Sequence, residues 1–126
     1  MDSLEPMLDS LAKLKATWPG APWEWDGRFS VVASSFAAKL QIEVRASAVQ
    51  ALTRGWTLKD IETAPPSLRA IADKTGGLRG GQRLLAGTDD TLFGLWWPWG
   101  NGEMITLRIG LVGAEPTQRL RALFGI

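Results

Sequence analysis

Tryptophan and arginine are the side chains through which this chain could do chemistry, because it holds seven Trp and no His, Cys or Tyr. An exposed indole beside a guanidinium suits stacking on a ligand ring or on a partner's cation. Trp96, Trp99 and Arg108 are the candidates for such a surface, since the last third of the chain reads as a hairpin that puts Trp96 and Arg108 on its outward face. A second candidate is loop 75–83, where Gly76, Gly77, Gly80 and Gly81 accompany Arg79 and Arg83. Its backbone N–H groups and guanidinium groups could cradle a phosphate or nucleotide. The loop lacks the Lys-Ser/Thr ending of a phosphate-binding loop, and it follows a helix where that motif follows a strand. Residues 65–87 set Arg69, Lys74, Arg79 and Arg83 against Asp73, a balance of 4 minus 1, or +3, which favours an anion.

Catalytic candidates are few. Without imidazole or thiol, the ordinary general bases, thiolate nucleophiles and zinc ligands are missing. No cofactor motif is present, and none is expected. Asp90 and Glu103 could serve as the two acids of a small hydrolase of a carbohydrate-like substrate, chemistry that needs paired carboxylates and no histidine. The plainer reading makes Asp89-Asp90 a turn and Glu103 a solvated residue at a hairpin end. Ser34-Ser35 has only Lys39 nearby as a base, in no recognisable motif. The stretch Ala51–Ile61 followed by Pro65–Lys74 has the rhythm of a helix-turn-helix. The helix after Pro66 offers only Arg69 and Lys74, and the pI is about 8.1, so nucleic acid is not the expected partner.

These residues must be positioned by one small domain spanning 1–126, since 126 residues are about what one core requires. Composition is that of a soluble globular protein, with 45% hydrophobic and 21% charged residues and a net charge of +1. Asp2, Glu5 and Asp9 precede the first lysine, the reverse of the basic segment of an export signal, which predicts a cytoplasmic protein. The longest apolar run, Leu92–Gly100, is interrupted by Pro98 and is far short of the roughly 20 residues that cross a bilayer. Residues 1–26 set Lys13 and Lys15 against Asp2, Glu5, Asp9, Glu24 and Asp26, a balance of −3. Opposite charge at the two regions could steer another protein or allow head-to-tail association into a homodimer.

Leu4, Met7, Leu8, Leu11, Leu14 and Trp18 recur at helical spacing and predict a helix from Ser3, its cap, to Thr17. Prolines and glycines between Trp18 and Gly27 predict a loop that becomes a strand at Trp23 or Trp25. Phe29, Val31 and Ala33 alternate, and Leu40, Ile42, Val44 and Ala46 alternate with polar neighbours, which reads as a half-buried strand. Between Ser47 and Thr75 the spacing predicts two or three short helices, with Gly55 a stop, Thr57 a cap and Pro65-Pro66 opening the next. Gln82–Gly87 is a short strand, and Gly100-Asn101-Gly102 joins strands Thr91–Trp99 and Glu103–Val112.

A three-residue loop would set Trp97 opposite Ile105 and Leu95 opposite Leu107, giving one apolar face and leaving Trp96, Thr106 and Arg108 on the other. A two-residue turn would set Trp97 opposite Thr106 and mix apolar with polar partners. The first register is therefore expected. A terminal helix carrying Leu120, Leu123 and Phe124 closes the chain. The predicted core unites Leu11, Ile42, Val44, Leu95, Trp97, Leu107 and Ile109, while Trp23, Trp25 and Trp56 are left open. The fold expected is α+β, one antiparallel sheet of about four or five strands with helices mainly on one face, in the order α-β-β-α-α-β-β-β-α. The function expected is that of a non-catalytic protein-interaction or ligand-binding domain using the aromatic sheet face. The hydrolase and the anion or nucleotide binder are the alternatives.

Overall fold

The computed structural model describes residues 4–126. Helix α1 (Leu4–Thr17) leads to strands β1 (Glu24–Asp26) and β2 (Val31–Ala37), then helix α2 (Gln41–Ala48) and strand β3 (Arg54–Thr57). Helix α3 (Pro66–Lys74) precedes strands β4 (Arg83–Ala86), β5 (Leu92–Pro98) and β6 (Met104–Leu111), and helix α4 (Ala114–Phe124) ends the chain. All six strands join one antiparallel sheet in the order β1-β2-β6-β5-β4-β3. No helix among the described residues is long and apolar enough to cross a membrane. The protein is thus a single α+β domain, with six strands among the described residues where the pattern suggested four or five, and Ser3, expected to cap α1, lies outside the described residues.

Two cores, one on each face of the sheet, replace the single core that the alternation predicted. On one face α1, α2 and α4 pack Leu11, Leu14, Val44 and Leu120 against Val32, Phe36, Trp96, Leu107 and Ile109. On the other face α3 packs Leu68 and Ala72 against Val31, Leu84, Phe93 and Leu95. Consecutive residues of one strand point to opposite faces, so Val31 and Val32 are both buried, as are Leu95 and Trp96. Helices therefore lie on both faces, three on one and one on the other. Trp23 and Trp25 pack partly buried against the first core, and Trp56 and Trp97 against the second.

The segment read as a strand through Leu40–Ala46 is helix α2. Leu40, Val44 and Ala48 are also spaced four apart, so seven residues of alternation satisfied a helix equally well. Val44 and Ala48 face the core while Ile42, expected in it, is 80% exposed. Conversely, the segment read as a second helix around Thr57 holds β3 and a single 3-10 turn at Ile61–Thr63. Thr57 does not cap a helix there: its N–H donates to Asp60 Oδ1 at 2.6 Å, which ends the strand in a turn.

The β5–β6 hairpin forms in the register that the amphipathic argument rejected. Trp97 lies opposite Thr106, Leu95 opposite Arg108 and Trp96 opposite Leu107. Trp99 N–H donates to Met104 O at 2.8 Å and Gly102 N–H to Trp99 O at 3.0 Å, so the connection runs through Gly100, Asn101, Gly102 and Glu103. Gly102 takes the left-handed conformation, φ +73°, and Asn101 Oδ1 accepts from Glu103 N–H at 2.9 Å. Pairing apolar with apolar residues selects a register only when one sheet face meets water, and β5 is covered on both.

Gly110 shows how closely the second core is packed. A Cβ there would sit 2.4 Å from Phe93 Cζ and 2.9 Å from Val31 Cγ1, so the Phe93 ring occupies the space that a side chain would need. Gly110→Ala will destabilise the protein by about 1–3 kcal/mol in urea melts through overpacking, and Phe93→Leu in the same chain will restore part of the loss. Equal losses with and without the Phe93 change would place the strain elsewhere.

Candidate functional site

Because α1, α2 and α4 sit toward β1, β2 and β6 while α3 sits toward β4 and β3, each sheet face has an open end. The larger opening, about 620 Å³, lies over β1, β2 and β6 on the α3 face. It contains the outward arginine and one of the tryptophans expected from the sequence, Arg108 and Trp99. Arg108 Nε donates to Asp26 Oδ2 at 3.1 Å, and its guanidinium stacks 4.6 Å from the Trp97 ring. Trp99, 49% exposed, donates from Nε1 to Thr106 Oγ1 at 2.9 Å, and Thr106 shares a 2.8 Å hydrogen bond with Ser35. Arg108, Asp26, Trp99, Thr106 and Ser35 thus satisfy one another, which leaves these side chains little unmet demand for a ligand.

The second opening is a cleft of about 320 Å³ between α2 and the β3–β4 end of the opposite face. Its volume falls within the range of small-ligand sites, about 300–1,000 Å³. Leu52, Leu85 and Trp96 form an apolar floor, and Val49, just past the end of α2, forms a wall. Trp96 itself is 6% exposed, tilted against Phe36 with ring centroids 5.2 Å apart. It is a core residue that a cleft reaches, not the outward ring expected from the apolar-on-apolar register, and it stands on the face away from Arg108.

Arginine gives the cleft its charge. Arg83 is the cross-strand neighbour of Trp96, and Arg45 projects from α2 at the rim. Neither has an ion-pair or side-chain hydrogen-bond partner among the described residues. Arg54, also at the rim, is committed: it bonds Gly87 O and Asp90 Oδ1, each at 2.7 Å. No carboxylate among the described residues lines the cleft.

Gly55 in the middle of β3 has an ordinary extended backbone without positive φ, so its glycine serves space rather than conformation. A Cβ there would come 3.0 Å from Leu85 Cδ2. Arg45, Val49 and Gly55 were not among the residues picked out as a site. The alternation around Leu40–Ala46 puts Arg45 on a strand and the helical spacing makes Gly55 a helix stop, whereas the signal for β3 is the aromatic and β-branched pair Trp56-Thr57 that follows Gly55.

The five residues singled out as binding candidates are thus divided. Trp96 and Arg83 meet in the cleft, Trp99 and Arg108 in the other opening, and Arg79 lies exposed on its loop. That loop is a poor anion cradle, because Gly76, Gly77 and Gln82 donate their N–H groups to backbone carbonyls and Arg79 donates its own to Gln82 Oε1. Asp90 and Glu103 stand at opposite ends of the hairpin. The seven residues of β5 between them, at about 3.3 Å per residue, hold the two roughly 20 Å or more apart, beyond the 5–9.5 Å of a glycosidase pair. No group of three or more Asp or Glu side chains among the described residues could hold a metal ion.

No protein-family model, curated protein or solved structure matches this chain.

Proposed function

We propose that the protein is a non-catalytic binding domain whose cleft takes an amphipathic organic anion. The observation that carries this reading is the pair of uncommitted arginines, Arg83 and Arg45, beside the apolar floor of Leu85 and Trp96, with no carboxylate among the described residues lining the cleft to neutralise them. A ligand with an aromatic or aliphatic body would bury it over that floor and turn its carboxylate, sulfonate or phosphate toward the guanidinium groups. The hydroxyls at the site are those of Thr53 and Thr57, and the carboxylate beside Thr57, that of Asp60, lies 3.4 Å from the hydroxyl and is held by the Thr57 N–H at 2.6 Å as part of a turn. Nothing in the cleft is arranged to activate a nucleophile, which favours binding over hydrolysis.

Titration with 2-naphthoate and with its neutral amide, followed by backbone and indole NMR signals, tests this. The acid will shift Gly55, Thr57 and Arg83, and its affinity will fall as salt rises. Arg83→Gln will weaken the acid about ten- to a hundredfold, the worth of a charge-assisted hydrogen bond, and leave the amide nearly unchanged. Equal binding of acid and amide, or shifts confined to Ser35, Trp99 and Thr106, would move the site away from the arginines.

A further inference from the structure

Strand β3 is an edge of the sheet, and the direction of its backbone groups can be worked out from its neighbours. Gly87 N–H donates to Leu92 O at 3.0 Å on the β5 side of β4. Alternation along an antiparallel ladder then turns the N–H and C=O of Leu84 and Ala86 toward β3, where they pair with Trp56 and Arg54. The N–H and C=O of Gly55 and Thr57 therefore point away from the sheet. Thr57 agrees: its N–H is taken by Asp60 Oδ1 at 2.6 Å, and its C=O accepts from Asp60 N–H at 3.2 Å. Gly55 is left presenting both groups at the open edge.

The cleft runs along this edge, since five successive residues, Thr53 to Thr57, line it although their side chains alternate between faces. Beside it the outer stripe of α2 carries Ile42 and Arg45 and continues into Val49 at its C-cap, which is 55% exposed. The opposite edge, β1, is only three residues long and carries Glu24 and Asp26.

We propose that the cleft's occupant is an extended acidic segment of a partner protein, which adds a strand to β3 through Gly55. Alternate side chains of the added strand enter the cleft, apolar ones against Val49 and Leu85 and carboxylates against Arg83 and Arg45. Main-chain bonds supply affinity and the cleft supplies selection, the division of labour of strand addition. Charge selects the partner's chemistry, because the rim offers arginines and no acid. The inference rests on the cleft being an anion site and goes further, in that the backbone of the ligand also takes part.

Selection of a displayed library of random short peptides against the protein, with the enriched peptide then titrated by fluorescence anisotropy, tests the proposal. Enriched sequences will carry both Asp or Glu and apolar residues at every second position, the positions whose side chains enter the cleft. Gly55→Pro removes the outward donor while sparing the ladder bonds of Arg54 and Trp56, and it will bind the peptide about tenfold more weakly than Gly55→Ala, which keeps the donor. If Gly55→Pro fails to fold, N-methylation of the peptide at alternate residues makes the same test from the ligand side. Enrichment without acidic residues, equal binding by the Pro and Ala variants, or indifference to every N-methyl group would overturn strand addition. Retained 2-naphthoate binding in that case leaves the anion cleft standing, whereas loss of both removes the two together.

Discussion

Trp96→Ala will destabilise the protein by about 3–5 kcal/mol in urea melts, while Trp99→Ala will cost less than about 1.5 kcal/mol. The difference follows from where one residue of register puts each ring. Trp96 faces α1, α2 and α4, packs on Phe36 and is almost wholly buried, so its loss leaves a cavity among side chains that cannot collapse onto one another. Trp99 stands beyond the end of β5, half exposed, and forfeits little more than its hydrogen bond to Thr106. In the register expected from the hairpin pattern, Trp96→Ala would have left folding nearly intact and Trp97→Ala would have been the damaging change. A loss below about 1 kcal/mol for Trp96→Ala would mean that the ring does not belong to the core. The same substitution will deepen the cleft floor, so its effect on 2-naphthoate should be read at a temperature where the variant is still folded.

What the sequence made legible depended on whether a pattern had one physical solution. The stripe Leu4, Met7, Leu8, Leu11 and Leu14 runs along a helix of nearly four turns, and only a helix buries it, so α1 could be read directly. Gly100-Asn101-Gly102 between two apolar runs identified the β5–β6 hairpin for the same reason. Its register could not be read, because Leu92–Trp97 is apolar at every position and fits a strand covered on both faces in either phase. Leu40–Ala46 failed through brevity: seven residues hold fewer than two helical turns, and Val44 served both periods. The outer face of α2 was misassigned with it, and Arg45 and Val49 went unseen as a cleft wall. Arg83 was picked out on local charge, but its partner in the site is Trp96, brought opposite by a pairing between β4 and β5 that no local pattern encodes. Sites made from strands distant in sequence are legible only once the register is known.

The two-sided sheet makes a second large prediction, on the residue next to Trp96. Leu95→Ala will cost about 2–5 kcal/mol even though its neighbour in the chain already occupies a core. Along a strand that is half exposed, large losses should fall on alternate residues only, so high costs at both 95 and 96 require a core on each face. Leu95 is fully buried beneath α3 with Leu68, Leu84 and Phe93, in a cluster separate from the one that holds Trp96. Leu68→Ala on α3 should therefore couple to Leu95→Ala, with a double-mutant interaction of about 0.5 kcal/mol or more, because both changes empty one shared space. Leu11→Ala on α1 should add to Leu95→Ala without interaction, since α1 lies across the sheet. Coupling of Leu95 to Leu11 in place of Leu68 would put Leu95 on the α1 face and restore the alternative register. With that register the arginine cleft would lose its floor, because the strand position of Trp96 is what brings an indole beneath Arg83.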